Sequence, residues 1–174
     1  MKTLRKALSK RTKRELIDIL VELAEDDRRI LRQFDEQLEL EAPPQELVAL
    51  TRQAIADATS FDERDINRNF NYDHAAYDAV KRNLGRLVGL GQLRTAMELS
   101  LELMVKGSQQ IEMSDEGLMT DEITDCLQVV LAGLASCDLP ADEVVAWCTH
   151  MLAGDSVGFV RDEELKSLRR QFER

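Results

Sequence analysis

Residues 84–103 read LGRLVGLGQLRTAMELSLEL, and the spacing of their apolar side chains decides the fold class. Leucine, valine and methionine recur three and four positions apart on both sides of Gly91. That is the period of an amphipathic helix, not the strict alternation of a half-buried strand. Two helices joined by a short turn make a hairpin, and the question becomes how much of the chain follows the same rule.

Nearly all of it does. Thr12 followed by Glu15 has the form of a capping box, the threonine bonding forward and the glutamate back. Leu16, Leu20, Leu23 and Ala24 then form one stripe, and Ile30, Leu31, Phe34 and Leu38 a second. Pro43 and Pro44 open a third helix, because proline is tolerated in a first turn; Leu47, Leu50, Ala54 and Ala58 line its inner face. The stretch TSFDERDINRNFNYD (59–73) has the polar composition of a loop. Asp73 is placed to cap a fourth helix, with Tyr77, Val80, Leu84 and Leu87 inward. A fifth helix spans about Gln92 to Val105. The sixth runs from about Asp121 to Ser136 with Thr120 as its cap. A seventh runs from near Pro140 to Gly154, and an eighth from about Asp162 to Phe172.

The expected fold is all-α: about eight helices as antiparallel hairpins, in a short solenoid-like array or an irregular bundle. A single domain over residues 1–174 is expected, with a basic arm at 1–14, an N-terminal hairpin at 12–42 and a helical-repeat-like body at 43–174. A chain of 174 residues that is 44% hydrophobic can bury a sizeable core. No run of eighteen apolar residues would span a membrane, and no apolar export segment follows the basic start. A cytoplasmic protein with no membrane contact is therefore expected. Cys126, Cys137 and Cys148, odd in number and without framework spacing, read as reduced thiols.

Charge is unevenly spread. The net value is −10, yet residues 1–14 hold seven basic side chains and no acid, leaving −17 on the other 160 residues. Between Lys106 and Arg161 there are ten acids and neither lysine nor arginine. A basic arm on an acidic body has a polarity that a partner, or a second copy of the chain, could read.

Leu84–Gly85, Gly91 and Ala96 resemble the tetratricopeptide unit, which implies small residues where two antiparallel helices approach closely. On a larger scale, KRELIDILVELAEDDRRILRQF (13–34), AYDAVKRNLGRLVGLGQLRTAMELSLEL (76–103), MSDEGLMTDEITDCLQ (113–128) and GDSVGFV (154–160) follow in an order that resembles one bacterial family. It is the helical domain of proteins some of which also carry a SWIM-type zinc finger. The resemblance covers about residues 12 to 165; it implies a helical fold and carries over no activity.

Three motifs suggest chemistry and lack an essential part. CTH at 148–150 matches the second half of a SWIM finger, but only Cys137 stands where the first half needs two cysteines, and structural zinc needs four ligands. GDSVG at 154–158 matches the serine-hydrolase elbow, which needs a preceding strand; here a helix precedes it, and His74 and His150 both lie before Ser156. Asp65, Asn67, Asn69, Asn71 and Asp73 imitate an EF-hand loop, yet Phe70 and Ala76 stand where glycine and a bidentate glutamate belong. No catalytic residue, metal ligand or cofactor is therefore assigned. Phe70, Tyr72, His74 and Tyr77, aromatic and imidazole side chains among amides and acids, are the candidate partner-binding residues. The functional expectation is a non-catalytic protein-interaction scaffold with an unidentified protein partner or a homo-oligomer. The alternative is a nucleic-acid-associated module using the basic arm, which the acidic body disfavours.

Overall fold

Thr12 accepts from the backbone N–H of Glu15 at 3.2 Å while Glu15 Oε2 accepts from the Thr12 N–H at 2.7 Å, so the capping box read in the sequence forms as written. These hydrogen bonds, the backbone one foremost, hold the Glu15 carboxyl below its ordinary pKa. The computed structural model describes residues 2–38, 42–62 and 64–173. Among them stand nine α-helices, one π-helical turn and no strand. The helices are α1 (Lys2–Leu8), α2 (Lys13–Asp26), α3 (Arg28–Leu38), α4 (Pro44–Ala58), α5 (His74–Gly89), α6 (Leu93–Met113), α7 (Thr120–Leu134), α8 (Ala141–Gly154) and α9 (Asp162–Phe172). The all-α expectation holds.

The chain divides into two compact units, residues 1–41 and 42–174. In the first, α2 packs on α3, and part of the predicted basic arm is the short helix α1. The second unit holds the core. There α5 packs on α4 and α7, α6 on α7 and α8, and α9 on α8. Leu47, Ile55, Val80, Leu84, Leu103 and Ile123 are fully buried between these helices. The indole N–H of Trp147 on α8 donates to the Met97 carbonyl on α6 at 2.9 Å, which satisfies the one polar atom of a large buried ring.

Three local readings need correction. Helix α6 continues to Met113, well past the expected end at Val105. KGSQQ (106–110) has loop composition, but its small and polar side chains are interior parts: Gly107, Ser108 and Gln110 are all buried. Ser108 Oγ donates to the Gly154 carbonyl and accepts from the Ser156 N–H, both at 3.1 Å. Tertiary hydrogen bonds thus hold a segment whose composition argues for a break. Thr120 is the first residue of α7 and not its cap, because its hydroxyl donates backwards to Gly117 O at 2.7 Å and fully buried Met119 takes the cap position. The segment 59–73 contains a π-helical turn, Arg64–Arg68, pinned by buried Ile66 and started by Asp62, whose carboxylate accepts from the N–H groups of Arg64 and Asp65.

Candidate functional site

The four candidate side chains come from the 59–73 segment and the first turn of α5. Asp73 caps that helix, its Oδ1 accepting from the Ala76 N–H at 2.9 Å. The cap fixes where Tyr72 leaves the chain on one side and His74 on the other. Their rings lie together, centroids 3.9 Å apart and tilted by 37°. Tyr72 stands within hydrogen-bond distance of Glu122 Oε1, at 2.5 Å, and of the Leu118 carbonyl, at 3.1 Å. His74 Nδ1 is 3.1 Å from the same glutamate oxygen. Burial first, then the hydrogen bond to Glu122, pushes the Tyr72 hydroxyl far above the usual phenol range, so this tyrosine remains a donor. Glu122 lies in the first turn of α7, where the helix dipole favours a negative charge.

Tyr77 belongs elsewhere. It is 1% exposed, and its hydroxyl donates to Gln110 Oε1 in the interior. A ring with no accessible surface cannot contact a partner, so Tyr77 leaves the binding set and serves as a core anchor. Its edge-on contact with Tyr72, centroids 6.1 Å apart, links the surface cluster to that core.

Phe70 is the opposite case. It is 59% exposed and holds a left-handed backbone with φ of +52°, a conformation that is a genuine outlier for a bulky residue. Hydrogen bonds on either side fasten the loop that carries it. Asn67 Nδ2 donates to Met113 O at 3.2 Å and Asn67 Oδ1 accepts from the Asp115 N–H at 3.0 Å, fastening the π-turn to the end of α6. The Asn71 N–H donates to Asp65 O at 2.8 Å, closing the turn around Phe70. Earlier in the same segment Phe61, Asp62, Arg64, Asp65 and Arg68 border an open hollow of about 660 Å³.

Glu122, Asn67 and the carbonyls of Met113 and Leu118 were missed in the sequence. Glu122 and Leu118 lie 50 and 46 positions from the Tyr72 they hold, and Met113 lies 46 from Asn67, so no local spacing signals such contacts.

The discarded motifs have structural uses. Asp155 in GDSVG accepts from the N–H groups of Val157 and Val160, so the motif is a capped turn between α8 and α9, completed by Gly158 at φ +74°. The alternating Asp and Asn residues of the π-turn bond to one another and to the α6–α7 connection. No group of three metal-ligating side chains converges among the described residues. Cys126 and Cys148 are buried, and burial pushes their thiols up to about 12 and about 11. A buried thiol kept protonated is a poor nucleophile and a poor ligand. Cys126 donates to the Tyr77 carbonyl at 3.4 Å. Among the described residues no helix is long and apolar enough to cross a membrane.

Comparisons with known protein families, with curated proteins and with solved structures find no match to this chain.

Proposed function

We propose that this protein is a non-catalytic protein-interaction scaffold, and that residues 61–74 of its helical body form the edge a protein partner docks on. One observation carries the reading: Phe70 is exposed while its backbone is held in a left-handed conformation by a loop fastened at Asn67 and at Tyr72. A loop free to relax would not keep a bulky residue there, and strain of about 1–3 kcal/mol persists only where surrounding contacts over-determine it. Pre-organisation of this kind lowers the ordering cost of binding. Tyr72, His74 and Glu122 support the loop from beneath, and His74 adds an exposed ring at its end. Packed helical hairpins, the tetratricopeptide-like pair of residues 84–103 included, suit such a role because they hold a recognition edge rigid.

The test is quantitative affinity capture from the source cell, comparing the wild-type chain with Phe70→Ala and with His74→Ala. A partner bound stoichiometrically by wild type and lost with Phe70→Ala, at unchanged helicity, supports the proposal. Capture indifferent to both substitutions removes the 61–74 edge from consideration.

A second reading rests on the exposed cations Lys2, Arg5, Lys6, Lys10, Lys13 and Arg14. They suit contact with a nucleic-acid backbone, whereas the acidity of the remaining chain opposes it. Binding through about six phosphates would weaken by roughly 10³-fold or more between 50 and 200 mM salt. A gel-shift titration at both salts, with and without residues 1–14, decides between the readings.

A further inference from the structure

The N-terminal unit, residues 1–41, is short of core. Among its described residues Ala24 alone is buried, while Ile17, Ile19, Leu20, Val21 and Leu23 are 37–50% exposed. It has no cysteine, the first being Cys126. A unit of about 40 residues usually needs a disulfide, a metal or association to hold its fold. Leu4, Leu8, Leu16, Ile19, Leu20 and Leu23 line one open groove of about 820 Å³ between α1 and α2. Apolar surface gathered along one helix face in this way marks an interaction site.

The charges on α2 say what fits there. The helix begins on Lys13 and Arg14 and ends on Glu25 and Asp26, with no basic residue in its last turn. Apart from the capping Glu15, this is the reverse of what a helix dipole favours, which is negative charge at the N-terminus and positive at the C-terminus. A second α2 running antiparallel corrects both ends at once, laying its acidic end on the basic end of the first. A single register serves apolar and charged positions together. Setting Leu16 against Leu23 of a second copy and Ile19 against its Leu20 also brings Lys13, three residues before Leu16 at the edge of that face, level with its Asp26, three residues after Leu23. The two-fold axis then repeats every pair. Parallel pairing would instead put like charges face to face. Residues 42–174 offer no matching stripe: their exposed large apolar residues are Phe70, Leu90, Val105, Met113 and Phe159, separated positions and not one helix face.

We propose that α2 is a homodimerisation helix, two copies of this chain pairing antiparallel across the groove between α1 and α2. The site is distinct from the Phe70 edge and stands or falls separately from it.

Light scattering of the full chain during size exclusion, at tens of micromolar, tests the proposal with two charge swaps. Lys13→Glu makes both edges of the groove face acidic, and Asp26→Lys makes both basic. Each swap agrees with the helix dipole and so favours the isolated helix, which separates lost pairing from lost folding. The wild type is expected as a dimer. Each swapped chain alone should dimerise at least about tenfold more weakly, since every exposed pair at the ends turns from weak attraction to repulsion. An equimolar mixture of the two should recover the dimer. Leu20→Glu should give a monomer of unchanged body helicity. A monomeric wild type overturns the proposal, whether the groove stays open or is covered by the chain's own body. So does a dimer indifferent to Leu20→Glu or to the swaps, or a mixture that fails to recover.

Discussion

Tyr77 donates its phenolic hydrogen to the side-chain oxygen of Gln110, and Gln110 in turn donates its amide hydrogens to the carbonyls of Ala58 and Ser60 at 3.1 and 3.2 Å. One buried amide thus joins α5, α6 and the end of α4, with its oxygen and its amide group both in use. Such a network stabilises while every group is paired and costs heavily when one is removed.

Tyr77→Phe should therefore destabilise the body by about 1–3 kcal/mol, the cost of leaving the Gln110 oxygen buried and unpaired. Gln110→Leu leaves the Tyr77 hydroxyl and two carbonyls unpaired and should cost more. The double variant should cost less than the sum of the two, because the unpaired Gln110 oxygen is gone. Urea unfolding of the four proteins measures this coupling, and strict additivity would show that the pair contributes nothing as a pair.

Gly107 faces Ile123 across the α6–α7 contact. A Cβ built at residue 107 would lie 2.8 Å from Ile123 Cδ1 and 3.2 Å from Cγ1. Ile123 is fully buried and has little room to yield. Overpacking costs about 1–3 kcal/mol, against a gain of about 0.8–1.0 from replacing glycine by alanine within a helix. Gly107→Ala should thus be neutral to destabilising by about 2 kcal/mol. Ile123→Val removes the nearest atom, so in the Gly107→Ala background it should cost less than in the wild type. Equal costs in both backgrounds would mean that the helices part without strain.

The cysteines separate by burial. Cys137 is half-buried, whereas Cys126 and Cys148 are buried and protonated well above neutrality. A thiol reagent near pH 8 should modify one cysteine quickly in the native chain and the other two only as the fold opens. The same burial sets an alkaline limit. An ordinary thiol here titrates at 9.0, against about 12 for Cys126 and about 11 for Cys148. Over the interval between, the folded chain binds more protons than the unfolded one, so stability falls as pH rises. The urea midpoint should be level below about pH 8 and decline from about 9 towards 11. Replacing both cysteines by alanine should flatten that decline without abolishing it, because burial also raises the hydroxyls of Tyr72 and Tyr77. An unchanged slope would show that the thiols titrate freely.

The helices were legible in the sequence because an apolar stripe at a helical period is a local property, present in α4, α5, α7 and α9 alike. Caps whose side chain accepts from the N–H three residues ahead, Thr12 and Asp73, were legible for the same reason. What failed was long-range. Gly107 and Gln110 look like loop residues until Ile123 and Tyr77 are placed beside them. Gly85, which reads as a point of close approach, meets only Val129 at an ordinary 3.8 Å. At the candidate site the aromatics could be found by composition. Glu122 and the Asn67 fastening could not, since the fold alone brings those positions together. The sorting of Tyr77 inward and Phe70 outward is likewise a tertiary fact: both are aromatic, seven positions apart, and only one falls on the buried face of a helix.

Phe70 allows a substitution that separates fold from function. A left-handed backbone costs an L-residue about 1–2 kcal/mol, and glycine escapes that cost while losing about 0.5–1 kcal/mol through its freer unfolded chain. With the Phe70 ring mostly exposed, little packing is lost. Phe70→Gly should therefore leave stability unchanged or raise it by up to about 1 kcal/mol, measured as the urea midpoint at constant slope. Phe70→Ala keeps the strained backbone and should lie below Phe70→Gly by up to about 1 kcal/mol, the strain less the entropic cost of glycine. Both remove the aromatic anchor, so both should lose whatever partner the wild type holds at the 61–74 edge. A chain that becomes more stable and no longer binds identifies Phe70 as a residue retained for contact. The opposite result, Phe70→Gly destabilised by 2 kcal/mol or more with partner capture intact, would assign the ring to the chain's own packing and remove the anchor from the proposal.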